Sequence, residues 1–100
     1  MSEEAEAALE GLAQALERTS PRLSTLDALV LAALAQDLAA DSRSLARIFG
    51  IGHALVLRTI VALAEEPALL TITRREARTQ RSILELTEVG QVLVAATRRA

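Results

Sequence analysis

Apolar residues recur along this chain first at helical spacing, then briefly in alternation, then at helical spacing again. Over residues 3–18, Ala5, Leu9, Leu12 and Leu16 share one face among glutamates, which predicts an amphipathic helix with a narrow buried stripe. Its early acids suit the positive end of the helix dipole, and Gly11 weakens its middle slightly. A stripe this narrow must be covered, either by the chain's own core or by a partner chain. Ser20, Pro21 and Ser24 mark a break, and Ser24 to Asp27 (STLD) reads as a capping box with Asp in place of Glu. The helix that follows, about 25–36, is apolar nearly all round through Leu26, Leu29, Val30, Leu31, Ala33 and Leu34. That is the pattern of a helix buried at the centre of a fold. Leu38 anchors the connection beyond it.

The stretch from Asp41 to Leu63 predicts two short helices meeting at a glycine turn. Asp41 is the N-cap of the first, and Leu45, Ile48 and Phe49 form its buried stripe. Ala46 is small where a second helix must cross, Gly50 can take the left-handed conformation that ends a helix, and Ile51 plugs the corner. The second helix carries Val56, Ile60 and Leu63 on one face. The spacing of Ala46, Gly50 and Val56 is that of a helix-turn-helix. Leu55 and Leu57 cannot both be buried with Val56, so at least one is exposed.

Glu65, Glu66 and Pro67 close that helix. Leu69–Thr73 then alternates, with Leu70 and Ile72 on one side, and Arg81–Leu86 alternates with Leu84 and Leu86 inward. These are two strands of a hairpin around the polar segment 74–80 (RREARTQ). Without an Asn-Gly or Asp-Gly turn, its tip is expected to be long and mobile. Thr87 caps a last helix from 88 to about 98, with Val89, Val92, Leu93 and Ala96 as its stripe and Arg98 and Arg99 at its negative end. The fold class is therefore mainly α with a small β-hairpin, in one domain.

Charge sharpens this division. Residues 1–40 hold seven acids against two arginines, a balance of −5, while residues 41–100 hold nine arginines against six acids, a balance of +3. The basic half is the half with the helix-turn-helix, as a nucleic-acid surface requires. Arg74, Arg75, Arg78 and Arg81 cluster around the hairpin tip, where guanidinium groups can grip phosphates or enter a narrow minor groove. Phe49 is the only aromatic, so there is no platform for stacking bases, and the absence of cysteine excludes disulfides and thiolate metal sites.

Other chemistry is sparse. His53 is the only histidine, which rules out a histidine-based metal cluster, and no glycine-rich phosphate loop is present. Ser42 and Ser44 are read as lacking a nearby general base, and Glu65–Glu66 as an ordinary helix end. Neither an enzyme nor a cofactor is expected. The acidic N-terminus has no signal-peptide pattern and the longest apolar run is too short to span a bilayer, so a cytoplasmic protein with no membrane partner is expected.

The order of elements is that of a winged helix-turn-helix with flanking N- and C-terminal helices. Over nearly its whole length the chain resembles the MarR-type family of bacterial transcription regulators. The resemblance rests on LDALVLAAL (26–34), SLARIFGIGHALVLRTIVALAEE (44–66) and RSILELTEVGQVLVAA (81–96). It implies an N-terminal dimerisation helix within 1–20, a winged-helix core over 24–86 and a C-terminal helix over 87–100. The implied partners are double-stranded DNA and a second copy of the chain, with Leu9, Leu12, Leu16, Val92, Leu93 and Ala96 joining the copies. DNA contacts fall to Arg43, His53, Arg58, Thr59, Arg74, Arg75, Arg78 and Arg81. The chain departs from the family at the recognition helix, which usually opens with polar residues. Here residues 52–59 (GHALVLRT) offer only His53, Arg58 and Thr59 to base edges. The alternative is a winged-helix module turned to protein interaction, an adaptor or antirepressor docking a partner on exposed Leu55, Leu57 and Val61.

Overall fold

The computed structural model describes residues 1–100, in the order α1 (Glu3–Thr19), α2 (Thr25–Ala35), α3 (Ser42–Phe49), α4 (His53–Leu63), β1 (Leu70–Glu76), β2 (Arg81–Leu86) and α5 (Glu88–Arg99). Four of the five helices start where a side chain can hold the free amides. Ser2, Ser24, Asp41 and Thr87 accept from Ala5, Asp27, Ser44 and Gly90 N–H, and Asp27 returns a bond to Ser24 N–H to complete the capping box. Only α4, which begins after Gly52, lacks a side-chain cap.

The apolar helix α2 is the hub: Ala28, Val30, Leu31, Ala32 and Ala33 are fully buried, and α1, α4, α5 and β2 all lie against it. Leu9, Leu12, Ala13 and Leu16 of α1 complete this core. The expectation that Leu9, Leu12 and Leu16 join two chains is therefore corrected. Their surface is already spent on α2 and α5, and removing it again would forfeit about 1.5–3 kcal/mol per side chain. The second half of the expected dimer surface fares differently. α5 turns Gly90, Val94 and Thr97 inward, leaving Val89 and Val92 exposed and Leu93 and Ala96 half-buried.

The rotation of α5 has a local cause. Thr87 both caps the helix and donates its hydroxyl to the Ala68 carbonyl. Gly90 then sits so close to Leu69 that a Cβ would overlap the Leu69 carbonyl oxygen. With Gly90 pinned inward, Val94 and Thr97 follow at four and seven residues, and the predicted stripe at Val89 and Val92 rotates out.

α3 and α4 cross at 120°. Gly50 takes the left-handed conformation (φ 65°), and the N–H groups of Gly50 and Ile51 both reach back to the Ala46 carbonyl. The hairpin pairs Leu70 with Leu86 and Ile72 with Leu84, the inward residues expected. Ala40 and Asp41 run beside β2, where Leu84 N–H donates to the Ala40 carbonyl at 2.8 Å. Five helices and a two-stranded antiparallel sheet result, compatible with a winged-helix-like layout. No single helix is long and apolar enough to cross a membrane.

The hairpin tip differs from the expectation. β1 runs on through Arg74, Arg75 and Glu76, so the turn is only Ala77–Gln80, with Gln80 at positive φ (56°) in the role usually left to glycine or asparagine. A bulge at Thr73 shifts the register between Ile72 and Arg74. After it Arg75 faces Ser82 and Arg74 faces Ile83. Cross-strand partners share a face, so the bulge sends Arg75 toward the inner side with Ile72 and Ser82 and turns Arg74 outward.

Candidate nucleic-acid interface

One buried hydroxyl bonds to both the hairpin and the second helix of the pair. Ser42, fully buried in the first turn of α3, accepts from Ser82 N–H at 2.9 Å, and His53 Nε2 lies 2.8 Å from the same Oγ. Ser42 thus joins α3, α4 and β2. A serine oxygen has two acceptor sites and one proton, so a neutral His53 with its proton on Nδ1 lets Ser42 donate to Nε2 while still accepting from Ser82. Protonating His53 would make Nε2 a donor and orphan the Ser42 hydrogen in a buried place. In keeping with this, burial and then the Arg43 charge hold the His53 imidazole below its ordinary 6.5, against an opposing pull from Asp41.

This geometry corrects the reading that Ser42 has no base beside it. It does not make Ser42 a nucleophile, because the hydroxyl is inaccessible and already holds Ser82, and both Asp41 oxygens turn to Ser44 rather than to His53. Asp41 itself is anchored firmly. Burial pushes its carboxyl up, but the Ser44 backbone and side-chain hydrogen bonds and the Arg81 charge outweigh this and leave it below the ordinary 3.8.

The expected DNA-contacting residues divide into those already engaged and those left free. Arg81 is half-buried, with Nε 3.2 Å from Asp41 Oδ1; this is an ion pair whose alignment falls short of a hydrogen bond. Arg43 donates from Nε to the Thr79 carbonyl at 3.1 Å, tying the hairpin tip to α3. Arg74 is exposed and paired with Glu76 at 2.9 Å. Thr59 is buried and donates to the Leu55 carbonyl, which removes it from any groove. His53 is committed to Ser42 and is corrected from surface contact to structural link.

Arg58, Arg75 and Arg78 remain, all exposed and with no hydrogen bond or ion pair from their side chains to the rest of the chain. The sequence reading passed over Arg47, also exposed, whose only side-chain bond is a long one of 3.4 Å to Ser44 Oγ. Its signal was available, since it lies one helical turn after Arg43 on the polar side of α3.

The outward face of α4 carries Ala54, Leu55, Arg58, Val61 and Ala62, with Leu55 43% and Val61 53% exposed. Between α4 and the hairpin lies a groove of about 520 Å³ lined by Leu57, Ile60, Val61, Ile72, Ala77 and Arg75, among others. The sequence reading identified Leu55, Leu57 and Val61 as an exposed patch, but the hairpin wall that turns part of it into a groove depends on the Thr73 bulge. His, Cys, Asp and Glu side chains nowhere gather in threes as metal ligands. Comparison with known protein families gives no matching family model for this chain, and comparison with curated proteins gives no match either.

Proposed function

We propose that the chain is a DNA-binding transcription regulator of the MarR-like winged-helix type, cytoplasmic and homodimeric. One observation carries the reading: Arg58 on the second helix of the helix-turn-helix and Arg75 and Arg78 on the hairpin are exposed cations without a partner carboxylate. Arg47 adds a fourth without a partner carboxylate. Cations left free on a bent helix pair and an adjoining hairpin suit phosphate contacts on either side of a groove. α4 offers no polar side chain but Arg58 on its outward face, so discrimination between sequences falls to DNA shape and deformability more than to base edges. The dimer surface in this reading is α5, through exposed Val92 with Leu93 and Ala96, since the α1 leucines are committed inside the chain.

The test is fluorescence-anisotropy titration with mixed duplex fragments at several salt concentrations. Each phosphate-contacting arginine removed should weaken binding to all sequences and lower the salt slope by roughly one. Charge reversal at both Arg75 and Arg78 that leaves affinity and slope unchanged refutes the reading. The apolar outward face of α4 favours a second reading, a protein-interaction module without specific DNA binding. Leu57→Arg separates the two: it abolishes partner docking, yet is neutral or helpful for non-specific DNA affinity.

A further inference from the structure

The groove between α4 and the hairpin has an apolar character that phosphate contacts do not need. Its floor and walls are Leu57, Ile60, Val61, Ile72 and Ala77, and its apolar character continues onto the exposed faces of Val61 and Leu55. A phosphate backbone has no apolar surface with which to cover these side chains. Arg75 lines the groove from the hairpin side, while Arg58 on α4 and Arg78 at the tip remain exposed. The one acid in the lining, Glu76, is neutralised by Arg74. An apolar trough with the unpaired Arg75 on its wall, and Arg58 exposed on the same helix, is complementary to a helix with an apolar stripe and acidic flanks.

We propose that this groove docks an acidic amphipathic helix of a partner protein. Leucine-sized side chains at i, i+4 and i+7 of that helix would lie along Leu57, Val61 and Ile72, and flanking carboxylates would reach Arg75 and Arg58. The volume of about 520 Å³ lies within the range of pockets that bury a drug-sized ligand, room for a few apolar side chains from one helix face. Docking would cover two of the cations assigned to DNA above, so the partner would compete with DNA. That regulatory consequence rests on the DNA-binding reading; the docking does not.

A fluorescein-labelled helical peptide of about 16 residues, with leucines at i, i+4, i+7 and i+11 and glutamates elsewhere, is titrated into the full chain alongside a lysine version with the same leucines. The acidic peptide should bind at least about tenfold more tightly. Val61→Asp and Arg75→Glu should each cost it about tenfold, and circular dichroism melts should show both variants folded, since both positions are exposed or at a rim. Equal affinity for the two peptides, or acidic-peptide binding untouched by Val61→Asp, overturns the proposal. Duplex competition separates the two readings. A chain that binds the acidic peptide but no DNA retains the docking and loses the DNA reading. A chain that binds DNA and neither peptide does the reverse.

Discussion

Ser42→Ala should be the most informative single substitution, because its buried hydroxyl is the one group bonded to both the hairpin and α4. The Ser82 amide, in a residue only 4% exposed, loses its acceptor, and His53 loses its partner at the start of α4. Stranding a buried N–H costs about 1–3 kcal/mol and the lost histidine bond about 1 kcal/mol; together they come to about 2–4 kcal/mol. For a chain of this size each kcal/mol lowers Tm by about 4–8 °C, so the variant should melt roughly 10 °C or more below the parent. His53→Ala is the control. It leaves the Ser42–Ser82 bond intact and should cost clearly less. The chain has no tryptophan or tyrosine, so unfolding in urea is followed by far-ultraviolet circular dichroism rather than by fluorescence. If Ser42→Ala melts within about 2 °C of the parent, or costs no more than His53→Ala, the hydroxyl is not what fixes the hairpin to the helix pair.

Stability should fall in two steps as pH drops. His53 is held below its ordinary 6.5 in the folded chain, so the unfolded chain takes up that proton first. Stability is therefore whole above 6.5 and is lost as pH falls toward the folded value, a step that His53→Gln should flatten in pH-dependent urea titrations. Asp41 adds stability above 3.8 that is lost as pH falls through its lower folded value, and Asp41→Asn should remove that second step. Gly90→Ala should destabilise by about 1–3 kcal/mol in the same urea experiment despite alanine's better helix propensity, because the added methyl meets the Leu69 backbone. Val92→Asp should leave the fold intact and shift sedimentation to a monomer, and a dimer unaffected by it would move the interface away from α5.

The elements themselves were legible because each depends on neighbours in sequence. Caps at Ser24, Asp41 and Thr87, the left-handed Gly50 and the alternation of Leu70, Ile72, Leu84 and Leu86 are all local, and the structure carries every one. What failed was rotation and reach. Helical spacing puts the α5 stripe on Val89 and Val92, because spacing alone cannot choose between two overlapping apolar faces. The choice was made by Gly90 against Leu69, a contact across more than twenty residues. The alternation ends β1 at Thr73, because three charged residues follow it. Exposed strand positions tolerate charge, and the bulge lets pairing continue to Glu76.

Which arginines are free was the least legible feature. The sequence presents Arg74, Arg75, Arg78 and Arg81 as one basic cluster, yet tertiary placement divides them. Asp41, capping α3 some forty residues earlier, engages Arg81; Glu76, on the same strand face after the bulge, engages Arg74; Arg75 and Arg78 are exposed with no carboxylate beside them. Counting basic residues therefore overstates the phosphate-binding capacity of this hairpin about twofold, and a salt slope that counted all four as contacts would contradict the structure. The same sorting leaves Arg75 beside an apolar trough rather than over open solvent. A cation in that setting gains most from a partner bringing both a carboxylate and a hydrophobic side chain. The groove and the outward face of α4 are thus one surface, and whatever binds there must satisfy leucine and arginine together.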